Sequence, residues 1–139
     1  MKRVLTICVA LLLVMVVGTV PVAAAVEAPT CWTVAVQNEG RYDNVLEWIY
    51  EHKVAWCGNG TAVVSVAEPA VWVDLKTSHC SWHGTTEARS GPPGGWSAET
   101  FSVGPVVCTT DDAITRGMNP WAILTVYGNG EYDIEKGIA

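Results

Sequence analysis

The amino-acid sequence predicts an all-β fold: a small, disulfide-bonded antiparallel β-sandwich of immunoglobulin-like or barrel-like type, preceded by a signal peptide. Three observations support this prediction. Short runs of β-branched and aromatic residues, about seven of them, alternate between apolar and polar positions, and Gly, Pro and Asn separate them. No long segment carries an unambiguous helical period. Four cysteines follow the N-terminal region, an even number that suits a small domain held by disulfides.

The first 25 residues have the layout of a secretory signal peptide. Two basic residues precede an apolar run over residues 4–17, and Ala23-Ala24-Ala25 supplies the small residues of a cleavage site. A membrane anchor is the alternative, but the run is shorter than the about 20 residues that cross a bilayer. We therefore expect residues 1–25 to be removed. Residues 26–139 are then expected to form a single secreted, extracellular domain with no stable membrane anchoring.

The formal net charge of −6 restricts the choice of partners. Removal of the signal peptide discards Lys2 and Arg3 and leaves the remaining chain more acidic. Nucleic acids and anionic membranes bind dense basic patches, so we expect neither as a partner. The expected partner is an extracellular ligand of unknown identity, and the expected oligomeric state is a monomer. No residue pattern indicates a cofactor.

The first strand is predicted over residues 31–36, and Asn38-Glu39-Gly40 is expected to end it. The residues from 43 to 53 fit two structures. Asn44 and Glu47 have the spacing of a helix capping box, whereas a period of two places the large residues from Trp48 onward on one face of a strand. We favour a strand from Trp48, with a short helical turn before it as the open alternative.

The rest of the chain follows the same alternation of strand and turn patterns. Gly58-Asn59-Gly60 predicts a tight hairpin, and Gly128-Asn129-Gly130 repeats that turn near the C-terminus. Strands are expected over residues 61–67, 71–75, 96–103, 106–108, 121–127 and 131–135. Loops are expected over the polar segments 76–82 and 109–118 and over the Pro/Gly-rich segment 87–95.

The cysteines of the predicted mature chain are interpreted as two disulfides. Zinc is the alternative, but no two of these cysteines are separated by two residues, the spacing of many tetrahedral zinc sites. Four cysteines allow three connectivities, and the sequence does not distinguish them. Among the three we favour Cys31–Cys108 with Cys57–Cys80. The predicted disulfide residues are thus Cys31, Cys57, Cys80 and Cys108.

Three segments carry a resemblance to other proteins. Val-Ala-Trp-Cys-Gly-Asn-Gly-Thr at 54–61, Gly-Gly-Trp at 94–96 and Pro-Trp-Ala-Ile-Leu-Thr-Val-Tyr-Gly-Asn-Gly at 120–130 are similar to segments of small exported bacterial β-proteins. The resemblance implies secretion and a β fold, and it implies no activity.

The candidate binding residues are Trp82, Trp96 and His83. Trp82 lies in a polar segment between two histidines, and Trp96 follows a Pro/Gly loop. Exposed indoles at such positions can stack on a sugar ring or on a partner surface. Most of the seven tryptophans are instead expected to be structural, and those assigned to the core are Trp32, Trp56 and Trp121.

No catalytic or metal-binding constellation is predicted. His79 and His83 are four residues apart, a metal-binding spacing only on a helix, and their neighbours favour a loop. His52 is interpreted as a strand residue with a satisfied ring. Asp111 and Asp112 are adjacent, so their side chains diverge in an extended segment and do not form a two-carboxylate hydrolase site.

These observations favour a secreted, non-enzymatic β-domain that binds a glycan, a cell-wall component or a protein at its loop ends. Two alternatives remain open. One is a small secreted effector, either an inhibitor or an antimicrobial protein. The other is a hydrolase whose site forms only in three dimensions, and it requires a cleft that joins one of the three histidines to an acid.

Overall fold

Residues 28–139 are described by the structure, a computed structural model, and they form antiparallel β-strands without any helix. The predicted signal peptide, residues 1–25, lies outside the described residues. In the part of the chain that is described, there is consequently no helix that could cross a membrane. The strands are β1 (Thr30–Tyr42), β2 (Val45–Gly58), β3 (Val63–Val66), β4 (Ala70–Leu75), β5 (Cys80–Trp82), β6 (Glu87–Ser90), β7 (Ser97–Val103), β8 (Val106–Thr109), β9 (Thr115–Met118), β10 (Pro120–Tyr127) and β11 (Tyr132–Ile138).

The longest element is the hairpin of β1 and β2, which the sequence interpretation missed. Asp43 and Asn44 form its turn with φ values of 47° and 64°. A two-residue hairpin turn requires positive φ at both positions, and Asp and Asn tolerate it better than most residues. The helical turn allowed before Trp48 is therefore wrong, since β2 begins at Val45. The prediction that the first strand ends at Asn38-Glu39-Gly40 is also wrong, because β1 continues to Tyr42.

The other edge of β2 is covered by two short strands in succession. β3 pairs with its C-terminal end and β4 with its N-terminal half, both antiparallel. β2 and β3 do form a hairpin at the predicted place. Residues 59–62 connect them, so the loop is longer than the tight turn that Gly58-Asn59-Gly60 suggests. Asn59 Oδ1 stabilises this loop by accepting hydrogen bonds from the backbone of Thr61 and Ala62.

Two further sheets complete the fold. One has the strand order β11-β10-β7-β6, and the other has the order β5-β8-β9. The strands β5, β6 and β9 lie in segments that were expected to be loops, so those three expectations are wrong. Each contains only three or four residues, several of them polar, and each is extended because a neighbouring strand supplies its hydrogen bonds.

The core lies where the inward face of β2 meets β7 and β10. Trp48 and Trp56 are almost completely buried there, while Trp32 and Trp121 are partly buried. Trp56 Nε1–H donates to the Tyr127 carbonyl across the interface. The buried apolar residues that form this core are Val36, Trp48, Tyr50, Val54, Trp56, Val63, Cys80, Ala98, Val106, Cys108, Ala122, Leu124 and Val126.

All four cysteines of the described chain are in disulfides, but the favoured connectivity is wrong. The pairs are Cys31–Cys57 and Cys80–Cys108. Each joins residues directly opposite one another, the first across β1 and β2 and the second across β5 and β8. Strand register decides the pairing, and a single sequence does not show the register. Two disulfides are compatible with an extracellular protein.

Candidate functional site

Three loops meet at one end of the sheets, which we call the glycine-loop end: residues 59–62, 91–96 and 128–131. Gly60 N–H donates to the Gly128 carbonyl at 2.8 Å, and Gly128 N–H donates to the Trp96 carbonyl at 2.9 Å. The close approach of the loops 59–62 and 128–131 requires glycine at position 128, because a Cβ there would lie 2.5 Å from backbone atoms of Ala62. The three loops are therefore held together by main-chain hydrogen bonds.

Aromatic side chains are concentrated at the glycine-loop end. Trp96 is 49% exposed, and its ring centroid lies 6.0 Å from that of Tyr127. The Tyr127 hydroxyl donates to Asp133 Oδ2 at 2.7 Å, and this hydrogen bond raises the pKa of Tyr127. Trp32 packs on the buried Trp56 with centroids 5.7 Å apart. The glycine-loop end thus presents flat apolar rings beside fixed polar groups.

A cavity of about 220 Å³ opens next to Trp32. Asn59 and Asn129 lie on its rim, and the Oδ1 atoms of both accept backbone hydrogen bonds within their own loops. Within residues 28–139, the side-chain Nδ2 of Asn59 donates no hydrogen bond, so it is free to donate to a ligand. An aromatic wall with a few fixed polar groups is the usual composition of a small-molecule site.

The three candidate binding residues do not come together. Trp96 lies just before the first residue of β7, whereas Trp82 packs beside Gly104, just after the last residue of that strand. At a rise of 3.3 Å per residue, Trp96 and Gly104 are about 25 Å apart. Trp82 is partly buried against the core and contacts Tyr50 edge to face. His83 is exposed and shares a hydrogen bond with Ser81 Oγ. Only Trp96 belongs to the glycine-loop end.

Glu47 forms a second site that the sequence interpretation missed. Leu46 pairs with Arg41 and Trp48 with Gly40, so Glu47 is an extra residue of β2 that no residue of β1 opposes. Such a β-bulge redirects a side chain, and bulges are frequent beside functional sites. The Glu47 side chain is 2% exposed. The one sequence signal was its capping-box spacing, which pointed to a helix instead.

Arg116 and His79 both donate hydrogen bonds to one carboxylate oxygen of Glu47. Arg116 Nη2–H donates to Glu47 Oε1 at 2.6 Å, and His79 Nε2–H donates to the same oxygen at 3.1 Å. The Arg116 guanidinium also lies over the Tyr42 ring, 3.9 Å from its centroid. Among the described residues, Glu47 Oε2 and Arg116 Nε are buried without any hydrogen-bond partner.

The Glu47 cavity, as we call the space beside this cluster, has a volume of about 240 Å³. It contains an acid–base pair, but no hydroxyl or thiol donates to His79, and the nearby Cys80 sulfur is bonded to Cys108. A nucleophile activated by the histidine is therefore missing from the described residues. The lining residues are Tyr42, Asp43, Val45, Glu47, His79, Thr110 and Asp111.

His52 is excluded from direct contact with a ligand. It is completely buried, and both ring nitrogens form hydrogen bonds, with Ser102 Oγ at 2.5 Å and Thr100 Oγ1 at 3.0 Å. The prediction that its ring is satisfied within the sheets is confirmed. Of the three histidines, only His79 is joined to an acid in a cleft.

Comparison with protein-family models, with curated proteins and with solved structures finds no match to this chain.

Proposed function

We propose that the protein is an exported, non-enzymatic binding module, built as a β-sandwich, that holds a glycan at the glycine-loop end. The observation that carries this proposal is the half-exposed Trp96 beside Tyr127, with the two ring planes inclined at 48°, on loops that are fixed by main-chain hydrogen bonds. A rigid aromatic surface loses little conformational entropy when it binds a ligand. The export itself follows from the predicted signal peptide and is supported by the two disulfides.

Glycan recognition fits the chemistry of this end better than recognition of an apolar surface. A sugar ring presents an apolar face that stacks on an indole and hydroxyls that need donors and acceptors at its edge. Trp96 and Tyr127 supply the first, while Asn59, Asn129 and Asp133 supply the second. The acidic composition favours a neutral or basic glycan over a polyanionic one.

Trp96→Ala is expected to weaken glycan binding roughly tenfold, the loss typical of truncating a central aromatic anchor. The measurement is a titration with soluble polysaccharides and cell-wall fragments, followed by tryptophan fluorescence and by isothermal titration calorimetry. Wild-type protein should show a saturable response to at least one glycan of the panel.

The matched control is Trp72→Ala. Trp72 is 58% exposed on β4, opposite Glu51 and away from the glycine-loop end, so its removal should leave the affinity unchanged. Equal losses from the two variants would contradict a site at the glycine-loop end. A panel that gives no response with wild-type protein would reject the glycan as the ligand.

A second candidate function, hydrolysis, is favoured by the His79–Glu47 pair in its cavity. Because no hydroxyl or thiol of residues 28–139 is hydrogen-bonded to His79, the reaction would use water activated by one of the two groups. We expect this candidate to fail. The test is a screen of chromogenic ester, peptide and glycoside substrates, in which an activity abolished by His79→Ala would establish hydrolysis in place of simple binding.

The effector function is supported only by the small disulfide-linked framework.

A further inference from the structure

We propose that the glycan-binding surface extends from the glycine-loop end along the outward face of β10, and that its ligand is an uncharged, linear β-1,4-linked polysaccharide. This inference rests on the proposed function and names the class of glycan. The surface consists of the outward residues Trp121, Ile123, Thr125 and Tyr127, which we call the β10 stripe.

The β10 stripe is apolar on a face that no other sheet covers. β10 lies between β7 and β11, and buried residues alternate along it with partly exposed ones. The buried Ala122, Leu124 and Val126 face the core. An antiparallel sheet with one solvated face usually has polar residues on that face, but most of the stripe is Trp, Ile and Tyr. Besides its sheet neighbours, the described strands that contact β10 are chiefly β1 and β2, and both lie on its core side.

The β10 stripe is continuous with the aromatic residues of the glycine-loop end. Tyr127 is its last residue, and the Tyr127 ring centroid lies 6.0 Å from that of Trp96. At the other end, the indole of Trp121 lies against Gly137 of β11, where a Cβ would come within 2.8 Å of the ring. Six steps of 3.3 Å separate Trp121 from Tyr127, so the stripe is about 20 Å long. This length is several times the width of one sugar ring.

Hydrogen-bonding side chains lie along both sides of the β10 stripe. On the β11 side, the register places Asp133 and Glu135 beside it. On the β7 side, Glu99 lies beside it, and the Arg89 guanidinium covers the ring of Phe101, 5.1 Å from its centroid. A chain of sugar rings has apolar ring faces and hydroxyls along both edges, which is the same arrangement in complement. The excess of carboxylates disfavours a polyanionic chain.

The shape of the β10 stripe favours an extended chain. The stripe follows a single strand, so a ligand must be nearly straight to remain on it. Chains of β-1,4-linked hexopyranoses are extended ribbons, whereas α-1,4-linked chains coil. Cellulose-type and chitin-type chains share this geometry and their uncharged rings, and the probes below distinguish them.

Two other occupants fit the β10 stripe less well. An extended peptide would place backbone N–H and C=O groups over apolar side chains that offer them no partner. A second copy of this chain, packed face to face, would bring the acidic flanks of both copies together, and like charges repel.

The first test compares chain lengths by isothermal titration calorimetry. The probes are cellobiose and cellohexaose, N,N′-diacetylchitobiose and hexa-N-acetylchitohexaose, with maltose and maltohexaose as the coiled pair. We expect one β-1,4-linked hexasaccharide to bind at least about tenfold more tightly than its disaccharide, because only the longer chain reaches the aromatic anchor Trp121. Maltohexaose should gain little over maltose.

The second test separates the β10 stripe from the glycine-loop end. Trp121→Ala should weaken hexasaccharide binding about tenfold and leave disaccharide binding unchanged, a difference that a merely structural role does not produce. Because Trp121 is partly buried, Ile123→Thr is the second variant: it keeps the β-branched shape and should weaken hexasaccharide binding about threefold. Trp72→Ala, at an exposed indole on another sheet, is the matched control and should change neither affinity.

Four outcomes would overturn this inference. They are equal affinity for disaccharide and hexasaccharide, equal losses of both on Trp121→Ala, binding of maltohexaose as tight as that of the β-1,4-linked chains, and a response to other glycans but to neither β-1,4-linked hexasaccharide. Each leaves a glycan site at the glycine-loop end intact. A wild-type dimer that Trp121→Ala dissociates would also overturn it, by showing a second copy on the stripe. Absence of a response to every glycan would instead reject the proposed function itself.

Discussion

Replacing Arg116 by Met is expected to lower the free energy of unfolding by about 3 kcal/mol. The Met side chain keeps the apolar stem of Arg116 but removes the guanidinium that donates to Glu47 Oε1 at 2.6 Å. Glu47 then stays buried with His79 as its one remaining donor. Breaking one side of a buried ion pair leaves an uncompensated charge, and the expected loss is at the lower end of the usual range because Arg116 is 23% exposed. Urea denaturation of both proteins at neutral pH measures this difference in the free energy of unfolding.

A double-mutant cycle separates the pair from other effects of the substitution. Glu47→Gln combined with Arg116→Met removes both charges, so the double variant is expected to be more stable than Arg116→Met alone. The control is Arg89→Met. Arg89 forms ion pairs with Glu87 and Glu99, but all three side chains are about half exposed, and the loss should stay below about 1 kcal/mol. Equal losses at Arg116 and Arg89 would show that solvent screens the Glu47 pair.

Two of the longer strands could be predicted from local patterns. The segment from Trp48 to Cys57 has a period of two because one face of β2 is more buried than the other, and residues 121–127 are a run of apolar and β-branched residues bounded by Asn119-Pro120 and Gly128-Asn129-Gly130. The short strands β5, β6 and β9 leave no such signal. They are extended because of their neighbours, so tertiary pairing determines them.

The site residues differ in how far the sequence reveals them. Trp96 was predicted as an exposed aromatic because it follows a Pro/Gly loop, a local feature that the structure retains. Glu47 was not predicted, because its burial depends on a bulge and on partners 32 and 69 residues away in the sequence. Its neighbour Asn44 suggested a helix cap, whereas Asn44 forms the turn of a hairpin. Register, which a single sequence does not show, determines both the bulge and the disulfide pairs.

The buried His52 lies in a chain of hydrogen bonds that fits only a neutral ring. Thr100 Oγ1–H donates to the Leu124 carbonyl, so this hydroxyl accepts from His52 Nε2–H. His52 Nδ1 then accepts from Ser102 Oγ–H, and Ser102 accepts from the Tyr50 hydroxyl. A proton on Nδ1 would reverse the Ser102 bond and leave one buried hydroxyl hydrogen, that of Ser102 or that of Tyr50, without an acceptor. Burial accordingly lowers the pKa of His52 to about 4.

Acid is therefore expected to destabilise the protein through His52. The ring has a pKa of about 6.5 in the unfolded chain and of about 4 in the folded protein. Above pH 6.5 both states are neutral and His52 makes no contribution. As the pH falls from 6.5 to 4, only the unfolded state takes up the proton, so the free energy of unfolding decreases. The loss is about 2 kcal/mol at pH 5 and about 3 kcal/mol below pH 4.

Comparison with His52→Gln isolates this effect from the titration of carboxylates, which the two proteins share. At pH 7 the variant should be less stable than wild type by about 1–3 kcal/mol, because Gln cannot restore the whole hydrogen-bond chain. At pH 5 the gap should shrink by about 2 kcal/mol, since wild type alone incurs the cost of His52 protonation. His83→Gln, at an exposed histidine, is the matched control and should keep the wild-type profile. Urea denaturation at both pH values measures the gap. A stability difference between wild type and His52→Gln that is the same at both pH values would contradict this prediction. It would mean that His52 takes up its proton in the folded protein over the same pH range as in the unfolded chain.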